Sequence, residues 1–407
     1  MTPDKIVIIN DSSVALGGAA ALALLSAKLF HEAGMKVVYV TGDDAADAKL
    51  DNGIDIEPLG SAALLKQPMP GRIANGLYHI SAANFIRAII ARHDTPATVY
   101  HLHSWAQTFS PAIFAALGPV ADRLVISSHD FSLVCPNGSY FNFKTNEVCN
   151  LTPLSPACLA SNCDKRSRAD KAYRVSRSVL LRRLVDFGKS RALVAAIHPG
   201  MAPWLARGGV APERIRIVPN PVIPFRGERV QAERNSDLFF IGRVEVEKGV
   251  DLAARAAHAA GRRLRVIGDG ASRPALAAEF PAIKWEGWRT HSDIADLISE
   301  ARGLIMPSRL PEPFGLVALE ALQSGVPLIS FDDAFVGRQA AARGAAFLAS
   351  RRIPEELANA VVQLDNDTVV RAASEAAFDQ CRSLSLTPEQ WRDALLDLYK
   401  EQLHAFA

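Results

Sequence analysis

The chain has 407 residues, is 49% hydrophobic and carries a formal net charge of +2. That length can fill two cores of roughly 200 residues each, so two domains are expected. So balanced a charge excludes a general polyanion binder such as a nucleic-acid protein. No run of about 18 uncharged apolar residues offers a membrane span. Five cysteines are too few for a disulfide scaffold in a chain of this size, and the start MTPDKIVIINDSS has neither the basic region nor the apolar stretch of an export signal. A soluble protein of the reducing cytoplasm is therefore expected.

Residues 5–10 are a short β-branched run that leads through Asp11, Ser12 and Ser13 to Gly17 and Gly18. A helical stretch over 19–34 and a second strand at 37–40 follow. Strand, glycine turn, helix and strand make a βαβ unit, which predicts a parallel, doubly wound sheet. The turn departs from G-x-G-x-x-G, which speaks against a dinucleotide site. Residues 98–102 form another strand, with His101 and His103 at its end, and residues 123–128 the next, ending in His129 and Asp130. Ligands of open α/β sheets bind at the carboxyl ends of parallel strands. A single histidine there is often a satisfied core residue, but two on successive strand ends make His129, and less strongly His103 with Asp130, candidates for a site.

Four of the five cysteines, Cys135, Cys149, Cys158 and Cys163, fall in a Gly/Asn/Pro-rich loop. They could ligate a structural zinc, although the spacing contains no C-x₂-C knuckle, and packed thiols are the alternative. Between Lys165 and Arg191 ten Lys/Arg face only Asp170 and Asp186, a local charge of +8. Val175, Val179, Leu180, Leu184 and Phe187 recur there at helical spacing, so a basic amphipathic helix is expected. It suits an anionic membrane surface, such as the inner face of the cell membrane, or equally a solvated helix on its own domain.

A strand at 215–218 closes the first domain, assigned to residues 1–222. Residues 219–235, with three prolines and a charge run, read as a linker, and the second domain spans 236–385. The strand at 238–241 ends in Gly242 and Arg243, with Lys248 and Gly249 just beyond and a helix over 250–260 after them. Solvated surface charge is the plain alternative for these two cations. Residues 264–268 form the next strand, ending in Gly268, Asp269 and Gly270, and Gly287 and Trp288 follow another. Asp365, Asn366 and Asp367 superficially match a metal-binding Asp-x-Asp but follow a helical pattern far from any strand end, and read as a helix-ending turn. A last helix spans 388–404.

Residues 302–330, RGLIMPSRLPEPFGLVALEALQSGVPLIS, organise the second domain. Leu304, Ile305 and Met306 end a buried strand, and Pro307 to Arg309 turn out of it. Pro313 pushes Glu312 out of the helical region, so its carboxylate should stand free in a loop. Pro313 suits a first helical position. The free N–H groups of about Phe314, Gly315, Leu316 and Val317 would then form an anion site at the positive end of the helix dipole. Glu320 lies inside that helix, roughly 8 Å along its axis. An amphipathic helix with a solvated glutamate at each end is the plain alternative.

The two glutamates of EPFGLVALE, separated by seven residues, resemble the signature of the retaining glycosyltransferase family 4, and the likeness runs along most of the chain. The resemblance implies a GT-B fold of two facing Rossmann-like domains with the last helix, 386–407, crossing back to the first. It implies transfer of a hexose from a nucleoside-diphosphate sugar, UDP favoured over GDP, to a saccharide or lipid-linked hydroxyl with retention and no required metal. The match places Arg243 and Lys248 on the donor phosphates, as in the family's Gly-Arg…Glu-Lys-Gly element, His129 and Glu312 on the hexose and Glu320 on the ribose. Gly242, Gly268, Gly287 and the backbone at Trp288 fall on the nucleotide side, and Gly17 and Gly18 match the first-loop glycines by position only. After Ser330, residues 331–343 diverge from the family's usual Gly-rich return. A glycoside hydrolase needs its two carboxyl groups about 5 Å apart, which a loop glutamate and a helix residue eight positions on do not suit. A non-catalytic sugar-nucleotide binder remains the other alternative. Base, hexose and acceptor are not legible, though surface polysaccharide or glycolipid assembly fits the basic helix.

Overall fold

The computed structural model describes residues 1–15 and 17–405. The chain divides into two compact units, residues 1–144, 149–218 and 388–407 in the first and residues 145–148 and 219–387 in the second.

In the first unit the strands of the main sheet are β1 (Lys5–Asn10), β2 (Lys36–Thr41), β3 (Asp55–Pro58), β4 (Thr98–Leu102), β5 (Leu124–Ser128), β6 (Leu193–Ala196) and β7 (Ile215–Ile217). They form one sheet in the order β3-β2-β1-β4-β5-β6-β7, every pairing parallel. Ile6, Val7, Ile8 and Ile9 are all fully buried. A continuous apolar run of this kind marks a strand covered by helices on both faces. The order reverses between β1 and β4, so their carboxyl ends diverge into a crevice.

The helix Pro388–His404 belongs to this unit although about 170 residues of the second unit precede it. Trp391, Leu395, Leu398 and Leu403 are buried along one face, and Tyr399 packs on Phe30 with ring centroids 5.4 Å apart. Gln402 Nε2 donates to the backbone carbonyl of Arg191 at 2.8 Å.

In the second unit β8 (Asp237–Ile241), β9 (Leu264–Ile267), β10 (Lys284–Gly287), β11 (Ala301–Met306), β12 (Leu328–Phe331) and β13 (Ala346–Ala349) pair in parallel in the order β10-β9-β8-β11-β12-β13. The reversal falls between β8 and β11. The core joins Leu238, Phe240, Val266, Ile305 and Ile329 from the sheet to Leu252, Ala256, Leu357 and Val361 from helices on it. Asp365 and Asp367 are structural: they pair with Arg262 and Arg302, and Asn366 between them accepts from the amides of Thr368 and Val369 as the N-cap of the helix Asp367–Gln380.

Candidate active site

The second unit concentrates charge in the crevice at its reversal point. β8 passes into Gly242 and Arg243, and β11 into Pro307 and the loop that carries Glu312. Lys248 Nζ donates to Glu312 Oε2 at 2.6 Å, and Ser308 Oγ donates to the same oxygen at 3.3 Å. The Lys248 and Glu312 side chains are 23% and 21% exposed. Burial pushes the Glu312 carboxyl up, but the Lys248 ammonium, the Ser308 hydroxyl and the nearby Arg243 guanidinium outweigh it and hold the group below its ordinary value. Glu312 is therefore ionised and engaged, not free in its loop. Arg243 is 65% exposed, its nearest carboxylate being Glu247 at 3.9 Å.

Two features pin these loops together. Gly249 adopts φ +73, and a Cβ on it would lie 2.0 Å from the carbonyl oxygen of Pro307, so only glycine lets the backbones close. Arg309 bridges the same loops, its Nη1 and Nη2 each 2.7 Å from a carboxylate oxygen of Asp251, with Nη1 also 2.6 Å from the Val246 carbonyl. A planar guanidinium on a carboxylate is a directional clamp. Arg352 adds a bond to the Ser308 carbonyl at 2.6 Å.

The helix after Glu312 begins later than its sequence suggests. It spans Leu316–Leu322, with Gly315 as N-cap at φ +80, and its first bond runs from Leu319 N to Gly315 O at 3.1 Å. Pro313 lies ahead of it, and the Phe314 side chain is buried. The left-handed Gly315 breaks the path from Pro313, so the leading amides belong to Leu316 and Val317, not Phe314. Glu320 is 18% exposed, with His291 Nε2 at 4.0 Å, and burial pushes its carboxyl up to about 7. Beside this, the ends of β8, β9 and β10 continue through glycine backbone: Gly242 N donates to Ile267 O at 2.9 Å and Gly268 N to Gly287 O at 2.7 Å. Trp288 follows, 75% exposed.

In the first unit the structure assembles three histidines where the sequence singled out two. His103 Nδ1 lies 3.1 Å from His129 Nε2, and the His101 and His103 rings are 4.0 Å apart. His101 is held by Ser127 Oγ at 2.8 Å and by Tyr399 Oη at 2.6 Å. Burial, with mutual repulsion, drives His101 down to about 3, and burial alone drives His129 down to about 4, so the cluster is neutral near pH 7. His129 Nδ1 is buried and has no hydrogen-bond partner among the described residues. Asp130, next to it, is exposed and accepts from the Ser132 amide at 2.8 Å. Gly17 and Gly18 are exposed at the start of the helix Gly18–Glu32. Short-range sequence signals could not reveal the Tyr399 bond to His101, whose partners are 298 residues apart.

Among the described residues no three His, Cys, Asp or Glu side chains are arranged to hold a metal, so of the two readings of Cys135, Cys149, Cys158 and Cys163 the structure supports packed thiols and not a structural zinc. A cation already occupies the cluster: Lys171 Nζ lies 3.0 Å from Cys163 Sγ and 3.7 Å from Cys158 Sγ. The basic helix, Arg168–Leu184, spends much of its charge within its own unit. Arg174 pairs with buried Asp164 at 2.9 Å, Arg177 donates to the Ala106 carbonyl, and Arg182 to that of Gly208. No helix among the described residues is long and apolar enough to cross a membrane.

Residues 235–367 match the family model described as Glycosyl transferases group 1. The solved sucrose-phosphate synthase from Thermosynechococcus elongatus superposes with a TM-score of 0.73 at 15% identity, covering 99% of this chain and 100% of that one. The chain has the GT-B fold. A second GT-B structure, the Anabaena HepE protein in complex with UDP-glucose, aligns with a TM-score of 0.64 at 15% identity, covering 98% of this chain and 99% of that one. In sequence, a glycogen synthase from Mycobacterium tuberculosis is 35% identical over 107 residues, 23% of this chain and 25% of that protein. The chain thus matches about a quarter of the length of this curated relative.

Proposed function

We propose that the protein is a retaining hexosyltransferase that moves a sugar from a nucleoside diphosphate to a hydroxyl of a saccharide or lipid-linked acceptor, in polysaccharide or glycolipid synthesis. The observation that carries the reading is the Lys248–Glu312 pair with Arg243 beside it, at the reversal point of a parallel sheet. Arg243 and Lys248 supply positive charge where a departing diphosphate gains negative charge, the role a divalent ion fills elsewhere. The leading amides of Leu316 and Val317 add donors. Glu312, ionised and fixed by Lys248, accepts hydroxyls of the hexose, and Glu320 accepts those of the ribose. The open backbone at Gly242 and Gly287 leaves room for the nucleotide, with Gly268 packed against the Gly242 carbonyl behind it and the base near Trp288. His129 is neutral and its unpartnered Nδ1 suits a sugar hydroxyl. The departing phosphate oxygen takes the acceptor's proton, so Glu312 orients and does not attack. UDP as the carrier is favoured by the UDP-glucose complex of the HepE neighbour.

The test is the Glu312→Ala variant. Transfer from UDP-sugars is expected to fall by at least about 10³-fold while UDP itself binds as before, and EDTA should leave the wild-type rate unchanged. Full activity in the variant, or strict dependence on Mn²⁺, would overturn the mechanism.

A further inference from the structure

The first unit holds a cavity of about 340 Å³ that the donor chemistry does not use. Three segments around 63–72, 105–107 and 130–138 line it together with the basic helix. Four arginines line it, Arg72, Arg166, Arg174 and Arg177, against the carboxylates of Asp130 and Asp170. Arg174 is taken by Asp164 and Arg166 lies 3.9 Å from Asp170. Arg72 and Arg177 have no carboxylate within ion-pair distance among the described residues, and the buried Nε of Arg177 has no hydrogen-bond partner at all. The Arg177 guanidinium is held over the Trp105 ring at 5.6 Å and to the Ala106 carbonyl at 3.1 Å, so its orientation is fixed before any ligand arrives.

A concave site with two guanidinium groups to spare, that of Arg177 pre-oriented, is built for an anion, and forked donors suit the oxygens of a phosphate. The volume exceeds what a phosphate alone needs and leaves space for an attached sugar ring, with Tyr173 in the wall. We propose that this cavity binds the phosphate-type group of a phosphorylated saccharide, which, given the transfer reaction proposed above, is the acceptor. The lining adds a second cue: Leu65 is 60% exposed, an apolar side chain against which a lipid chain attached to that phosphate would lie.

The experiment is calorimetric titration with UDP present, so that the second unit's phosphate site is filled, and is repeated in the Lys248→Ala variant without UDP. The probes are glucose 1-phosphate, decyl phosphate and, as neutral control, glucose. Saturable binding of a phosphate probe, at least about tenfold tighter than glucose and weakened about tenfold or more in Arg72→Gln and in Arg177→Lys, supports the site. Equal binding of both phosphates supports a soluble acceptor, and tighter binding of decyl phosphate, lost in Leu65→Ser, a lipid-linked one. Binding unaffected by both arginine variants, or no preference over glucose, overturns it. UDP affinity, measured separately in each variant, should not change; its absence in the wild type would count against the donor reading and leave this one standing on the titrations in Lys248→Ala.

Discussion

Glu312 and Glu320 lie eight residues apart, yet their surroundings drive their ionisation in opposite directions. Lys248, 2.6 Å away, keeps Glu312 charged, whereas Glu320 meets only burial and a histidine 4.0 Å off. Glu320 is pushed from an ordinary 4.5 to about 7, so across that window the folded chain keeps a proton that the unfolded chain has lost. Stability contributed at this position therefore falls as pH rises from about 4.5 to 7. Glu320→Gln removes the titration, and its melting temperature relative to wild type is expected to be higher by a few degrees at pH 8 than at pH 5. A pH-independent difference between the two proteins would rule out this origin. None of it was readable from residue types: both positions announce a carboxylate, and only the fold says which has a cation for a neighbour.

At the scale of elements, the site depends on loops leaving β8 and β11 that touch backbone to backbone. Gly249 is the contact point, and Gly249→Ala sets a Cβ against the Pro307 carbonyl while forcing a left-handed alanine. A loss on the order of 2–3 kcal/mol is expected from strain alone, seen as a lower denaturation midpoint, with transfer impaired because Lys248 moves with the loop. An active variant of unaltered stability would refute the close-approach argument. The strands themselves were legible, since β-branched runs such as residues 5–10 stand out against polar turns. Helix starts were less so. Pro313 is a good first helical residue in isolation, but Gly315 in the left-handed region and the buried Phe314 ring fix the start at Leu316. The basic helix was legible as an element but not in its contacts: periodicity located its apolar stripe but could not tell that Arg174 pairs with a buried carboxylate and Arg177 with a backbone carbonyl. The cysteine loop was likewise ambiguous, because Lys171, the group that sits among the thiols, lies outside it in sequence.

At the scale of the molecule, two units with separate cores should melt separately or nearly so. Trp391, 2% exposed, packs the helix Pro388–His404 on the first unit. Trp391→Ala is expected to cost that unit roughly 3–5 kcal/mol and lower one calorimetric transition, while UDP raises the other. A single transition that UDP and the substitution shift together would contradict independent units.

The placement of that terminal helix also bears on synthesis. A chain emerging from the ribosome exposes the seven strands of its leading body well before the segment carrying Trp391 and Tyr399 exists, whereas residues 219–387 emerge contiguous and can close at once. The earlier half would thus wait, its His101 hydroxyl partner missing and the surface beneath that helix bare, until residues 388–404 have been made. Nascent chains stalled before residue 388 should therefore engage a holdase chaperone that releases them once the last turns appear.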